Sequence, residues 1–140
     1  YIVVDTAPGL GEHVLATLEQ ATDAVWICGM DVPSIRGIRT GFQILEELAL
    51  VPEQRHIVLN MADRRAGLSL KDVEATIGAP VDVVLPRSKN LPFSTNKGVP
   101  VLQEGNRDPA AKGLRQLVDR FKPDWEARPH KQLHRRAVFQ

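Results

Sequence analysis

Short apolar runs alternate along this chain with longer stretches whose apolar residues recur at helical spacing, and the connections between them are brief. That order leaves little choice of fold, because parallel strands need a crossover of about a dozen residues or more, usually a helix. The expected fold class is α/β, a mostly parallel sheet with flanking helices. Ile2–Val4 reads as a first strand, Glu12–Gln20 as a short helix with Val14, Leu15 and Leu18 on one face, and Asp23–Cys28 as a second strand. A longer helix is predicted from Pro33 to Leu48: proline at the first helical position gives up no hydrogen bond, and Ile35, Ile38, Phe42, Leu45 and Leu48 form one stripe. His56–Leu59 is the third strand, closed by Asn60. Ser69 with Asp72 three positions on predicts an N-cap and Gly78 a C-cap, so a helix with Leu70, Val73 and Ile77 inward lies between them. Val81–Leu85 is the fourth strand, followed by Pro86-Arg87 and an irregular or short helical stretch ending at Gly98. A last amphipathic helix starts at Asp108-Pro109 and carries Leu114, Leu117, Val118 and Phe121 inward.

A chain of 140 residues supports a single domain. The periodic pattern occupies residues 1–121, and 122–140 read as a basic tail with little fixed structure. With 18 basic against 17 acidic residues, the formal charge of +1 gives no global argument for nucleic acid as a partner. The tail is the one local bias: Lys122, Arg128, Lys131, Arg135 and Arg136 against Asp124 and Glu126 give it a net +3. Trp125, Leu133, Val138 and Phe139 are scattered through it, a composition that would suit an anionic membrane surface. Pro123 and Pro129 interrupt any helix, however, and the apolar residues share no stripe, so a solvated tail is preferred. The single cysteine, Cys28, excludes an intrachain disulfide and sits in an apolar run where a buried thiol is expected; a cytoplasmic setting fits. No apolar stretch approaches the roughly 20 residues that cross a bilayer. The chain opens at Tyr1 inside a strand pattern, without Met, and is expected to be a piece of a longer protein.

The residues with the most chemical promise stand where predicted strands end. Asp5 closes Ile2-Val3-Val4 and is followed at once by Thr6-Ala7-Pro8-Gly9. A carboxylate at the end of a parallel strand lies on the edge where open α/β sheets bind ligands, and it can hold a hydrated Mg²⁺ beside a phosphate chain. Capping of the following turn is the plainer role for Asp5. Asn60 offers a donor and an acceptor side by side, or closes an Asx-turn. Pro86 supplies a flat apolar contact and Arg87 a guanidinium that can stack on a ring; a solvated arginine is the ordinary alternative. Asp31, Ser34 and Arg36 read as capping and surface charge at the start of the long helix. The Gly-rich loop with Gly-Lys-Ser/Thr that cradles phosphates does not occur in the chain. His13, His56, His130 and His134 lack zinc-site spacing, and no Gly-x-Ser-x-Gly turn is found. A receiver domain is disfavoured, because Asp5 has no acidic partner near the other strand ends and no Lys follows the third strand.

Taken in order, four segments resemble the C-terminal half of the MinD/ParA family of P-loop ATPases. They are Val3–Gly9, Met30–Arg36, Ile57–Asn60, and Val84–Arg87 with Ser94–Val101. Within that family the chain is most similar to the pilus-assembly, CpaE/TadZ-like branch. The resemblance spans about the first 121 residues. It implies a partial P-loop fold lacking the phosphate-loop strand, with Asp5 in the Walker B role, contacting metal through water, and Thr6, Ala7, Pro8 and Gly9 as a γ-phosphate switch. It also implies that Asn60 hydrogen-bonds an adenine, that Pro86 and Arg87 wrap the base, and that ATP and Mg²⁺ bind only in the complete protein. The family's nucleotide-driven homodimer would position a secretion or pilus-assembly machine, in the cytoplasm or peripherally at the inner face of the membrane. The alternative is a nonhydrolytic localisation scaffold on the same fold. In the family, the phosphate-loop strand lies between the Walker B strand and the strand that is Ala24–Cys28 here. Without it those two strands would bare their edges or pair with each other, leaving the 140-residue product marginal or aggregation-prone.

Overall fold

The computed structural model describes residues 1–103 and 108–122. Three parallel strands, β1 (Asp23–Cys28), β2 (Gln54–Ala62) and β3 (Val83–Pro86), form a sheet in the order β1-β2-β3. Among the described residues five α-helices accompany them, α1 (Glu12–Gln20), α2 (Val32–Glu47), α3 (Leu70–Ile77), α4 (Asn90–Lys97) and α5 (Pro109–Asp119), with a 3-10 turn at Arg64–Ala66. The mostly parallel α/β fold with flanking helices is as the sequence pattern predicts.

Residues paired across the register share a face of the sheet. Trp26 lies beside Ile57 and Cys28 beside Leu59 on one face, where Ile35, Ile38 and Phe42 of α2 and Val73 and Ile77 of α3 close a continuous core. Ile57, Leu59 and Val73 are essentially inaccessible to solvent, and each contributes about 1.5–3 kcal/mol relative to an exposed side chain. Gly41 lets α2 lie close to the sheet, since a Cβ there would sit 3.1 Å from the Trp26 ring. On the other face, Val58, Val83 and Leu85 pack under Leu114 and Leu117 of α5. Gly113 makes that approach possible: a Cβ would stand 2.6 Å from Leu85 and 3.0 Å from the Val84 carbonyl.

The caps follow the sequence. Ser69 and Asp72 form a reciprocal capping box on α3, and Gly78 ends that helix at φ 83°. Asp31 caps α2 by accepting from Ser34 N, as expected from its place before that helix.

Several expectations are corrected. Ile2–Val4 does not join the sheet; Val3 is 90% exposed and the segment has no strand beside it to take its backbone hydrogen bonds. The three-residue run therefore pairs with neither edge, and β1 keeps an outer edge without a neighbour among the described residues. Asn60 does not close β2: a bulge carries the strand on to Ala62, and Met61 takes φ 52°. Leu48 is the C-cap of α2 and is exposed, where the stripe would have placed it inward. Val118 is 51% exposed because α5 lies over β3 and β2 and leaves its flank open. Phe121 lies beyond the end of α5, its ring edge-on to His56 at 4.8 Å. Of the basic tail 122–140, residues 123–140 lie outside the described residues.

At the strand-start end, a chain of polar groups ties the layers together. Arg120, just after α5, donates from Nε to His56 Nδ1 at 2.9 Å and pairs through Nη2 with Asp82 Oδ1 at 2.8 Å. Since Nδ1 accepts, the ring proton resides on Nε2, which donates to Asp23 Oδ1 at 3.0 Å. Asp82 Oδ2 in turn accepts from Ile57 N at 2.7 Å. The network thereby joins β1, β2, the start of β3 and the end of α5.

Candidate functional site

The opposite end of the sheet, where strands β2 and β3 finish, brings together Asn60, Pro86 and Arg87. The bulge in β2 sets two residues, Asn60 and Met61, against one on β3, and bulges of this kind re-aim side chains at sheet ends. Left-handed backbone at a non-glycine residue is locally costly, by about 1–3 kcal/mol, and Met61 adopts it while its side chain stands 58% exposed beside Asn60. Asn60 Oδ1 accepts from Met61 N at 2.9 Å. Its NH₂ makes no hydrogen bond among the described residues.

β3 delivers Pro86 and Arg87 beside this bulge. Arg87 N donates to Ala62 O at 3.1 Å, so the loop after β3 is fastened to the last residue of β2. Pro86 is half-buried and Arg87 exposed. The Arg87 guanidinium makes no hydrogen bond among the described residues, and its charge helps to hold Asp63 below the usual carboxylate range. The largest cause of that depression is the bond Asp63 accepts from Arg65 N, the Arg65 charge comes next among the lowering effects, and Arg87 adds less.

Asp108, the N-cap of α5, closes the same loop from behind. Its Oδ1 accepts from Ala110 N at 2.7 Å, and its Oδ2 accepts from Ser88 Oγ at 2.6 Å and Asn90 Nδ2 at 2.8 Å. Ser88 Oγ also accepts from Asn90 N at 3.0 Å. Burial pushes the Asp108 carboxyl up, but the bonds from Ser88, Ala110, Asn90 and Ala111 outweigh it and hold the group below the usual range. The sequence pattern finds Asp108 as a helix start. Its tether to Ser88 and Asn90 spans 20 and 18 residues and leaves no local signal.

Near the end of β1, Asp31 accepts from both N and Oγ of Ser34 at 2.8 Å, and these bonds hold its carboxyl low. Gly29 allows the carboxylate to fold back, since a Cβ there would meet Asp31 Oδ2 at 2.7 Å. Cys28 is buried, and desolvation with the nearby Asp31 charge pushes its thiol up to about 11, which disfavours the thiolate. Asp5, Thr6, Ala7, Pro8 and Gly9 lie in the exposed opening segment, with Gly9 at φ 91°. Asp5 is not drawn to Asn60 or Arg87 by any contact.

The Asn60 amide, a half-buried proline, an exposed arginine and an exposed thioether are groups that can make polar and stacking contacts with a planar ring. No group of three or more His, Cys, Asp or Glu able to hold a metal occurs among the described residues. Asp5 could contact a hydrated Mg²⁺ by itself only, and phosphates would need groups from outside these residues.

Comparisons with known proteins bear on this arrangement. The septum site-determining protein MinD of Thermotoga maritima is 22% identical over 111 residues, covering 76% of this chain and 41% of that protein. The solved MinD of Pyrococcus horikoshii OT3, complexed with Mg-ADP, superposes with a TM-score of 0.73 at 14% identity, over 85% of this chain and 49% of that one. The fold is shared with MinD. A ParA-family ATPase from Chlorobium tepidum TLS gives a TM-score of 0.70 at 18% identity, covering 79% and 46% of the two chains. No protein-family model matches. The chain spans less than half the length of these relatives.

Proposed function

We propose that this chain is the C-terminal half of a MinD/ParA-like ATP-binding domain. In this reading Asn60, Pro86 and Arg87 receive the adenine, while upstream sequence supplies the phosphate-binding half. The observation that carries it is the meeting of Asn60 and Pro86-Arg87 at adjacent ends of parallel strands, pinned by the Arg87 N to Ala62 O bond. Ligands of open α/β sheets bind at that end. A likeness in fold to a MinD complexed with Mg-ADP supports the same ligand class.

The open flank of the sheet supports the half-domain reading. Val25 and Ile27 of β1 share the face of His56 and Val58 by register, yet are 40% and 62% exposed, and nothing pairs with the outer edge of β1 among the described residues. A further strand on that edge, with a helix over Val25 and Ile27, would complete both the hydrogen bonding and the burial. Asp5 then stands at the metal in the Walker B role, with Thr6–Gly9 as the switch. Bound Mg²⁺ would neutralise charge on the phosphates, and Asp5 would orient it through water. By the sequence resemblance, the complete protein would dimerise with nucleotide and position a pilus or secretion machine. A nonhydrolytic scaffold is the competing outcome.

The test is calorimetric binding of Mg-ATP to the protein at its full natural length, with ATP turnover measured alongside. Binding with turnover, and at least a hundredfold loss of turnover in Asp5→Ala, is expected. Binding without turnover selects the scaffold, and no binding refutes the nucleotide site.

A further inference from the structure

We propose that Asp108 is a positioning residue for the base-binding loop, a role that rests on the nucleotide reading above. The loop between Pro86, the last residue of β3, and Asn90, the first of α4, is fixed at two points. Its start is bonded to the β2 bulge through Arg87 N and Ala62 O. Its end is bonded to a single carboxylate oxygen, Asp108 Oδ2, through Ser88 Oγ and Asn90 Nδ2. Arg87 lies between these points, with its backbone held and its side chain exposed.

The two oxygens of Asp108 divide the labour. Oδ1 caps α5 through Ala110 N, a stability role that any N-cap acceptor can fill. Oδ2 accepts from Ser88 Oγ, in the loop after β3, and from Nδ2 of Asn90, the first residue of α4. Asp108 is 7% exposed, so water competes poorly for these bonds. A carboxylate spends one oxygen on the helix and the other on the loop, which an amide cannot do with two acceptors. Holding the loop in one conformation before ligand arrives removes an ordering cost that would otherwise weaken binding. Asp108 does not touch the ligand in this arrangement and acts through Pro86 and Arg87.

The division gives variants that separate the two roles. Asp108→Asn keeps an N-cap oxygen but loses the second acceptor, and Ser88→Ala removes one loop bond while leaving the cap intact. Calorimetry on the full-length protein compares Mg-ATP with inorganic tripolyphosphate, which carries the phosphates without a base. Both variants should weaken ATP binding by about tenfold while changing tripolyphosphate affinity less than about twofold. Equal losses for the two ligands would mean that Asp108 serves only the general fold, and would overturn the proposal. A wild-type preference for ATP that survives both substitutions overturns the role of Asp108 alone. Wild-type protein that binds tripolyphosphate as tightly as ATP overturns the base site and this role together.

Discussion

Replacing Arg120 by Met should destabilise the protein by about 2–3 kcal/mol. The guanidinium binds Asp82 at 2.8 Å and His56 at 2.9 Å, with the Arg120 and Asp82 side chains 13% and 19% exposed. Removing one partner of a buried ion pair costs about 3–5 kcal/mol, because the remaining charge stays buried and uncompensated. Partial exposure lets water reach the stranded Asp82 oxygen, and Asp82 Oδ2 keeps its bond from Ile57 N, so the lower part of that range applies. Methionine retains the aliphatic contact, so the loss reports polar interactions more than packing. With a urea slope of about 1.5 kcal/mol/M, typical of a small domain, the unfolding midpoint should fall by about 1.5 M. Asp82→Asn in the Arg120→Met background should cost clearly less than in the wild type, with a coupling of about 1–2 kcal/mol. Strict additivity, or a midpoint shift below about 0.3 M, would refute the view that this network locks α5 to the strand starts.

Three further outcomes follow from the same structure. Asp72 is held below the usual carboxylate range by its bonds with Ser69, first the hydroxyl and then the backbone amide. Its contribution is therefore complete above the unfolded value near 3.9 and lost as pH falls through the depressed folded value; Asp72→Asn should flatten the acid limb of a stability-against-pH curve. The buried Cys28 thiol, pushed up to about 11, should react with iodoacetamide at pH 8 at least about a hundredfold slower in native protein than in urea, and equal rates would contradict its burial. Ile27→Lys places a charge on a 62% exposed edge position, so the isolated chain should keep its stability within about 0.5 kcal/mol and self-associate less by light scattering. The same substitution should destabilise the full-length protein if an upstream half covers that flank.

Local features were legible in the sequence wherever their cause was local. The capping box at Ser69 and Asp72, the Gly78 stop, the Asp31 cap and the span of β1 each rest on residues a few positions apart. The reading failed where the cause was distant. Ile2–Val4 has strand composition, but a strand also needs a neighbour, and composition does not reveal whether one is present. Val118 and Leu48 fit a helical stripe, yet burial depends on what lies opposite, and nothing described does. Of the candidate site, Asn60, Pro86 and Arg87 were visible as strand-end residues. The bulge that turns Asn60, the left-handed Met61 and the Asp108 tether were not, because each depends on pairing or on bonds across many residues.

The distribution of these interactions says which parts of the fold are self-sufficient. β2 has a strand on either side, a core on both faces and a polar lock at its start, so all of its buried residues are satisfied by this chain. β3 is roofed by α5, and its following loop is tied down at both ends. β1 is different: one face is packed by α2, while among the described residues its other face and its outer edge are open. A sheet that ended there by design would be expected to carry charge or proline on that edge, whereas the outward positions are Val25 and Ile27. Apolar side chains on an unpaired edge are a liability in a free-standing domain and an ordinary internal surface in a larger one. Asn60, Pro86 and Arg87 lie where β2 and β3 finish, on the well-packed side of the sheet; under the function proposed above, one further unit against β1 would complete both the core on that flank and the nucleotide site.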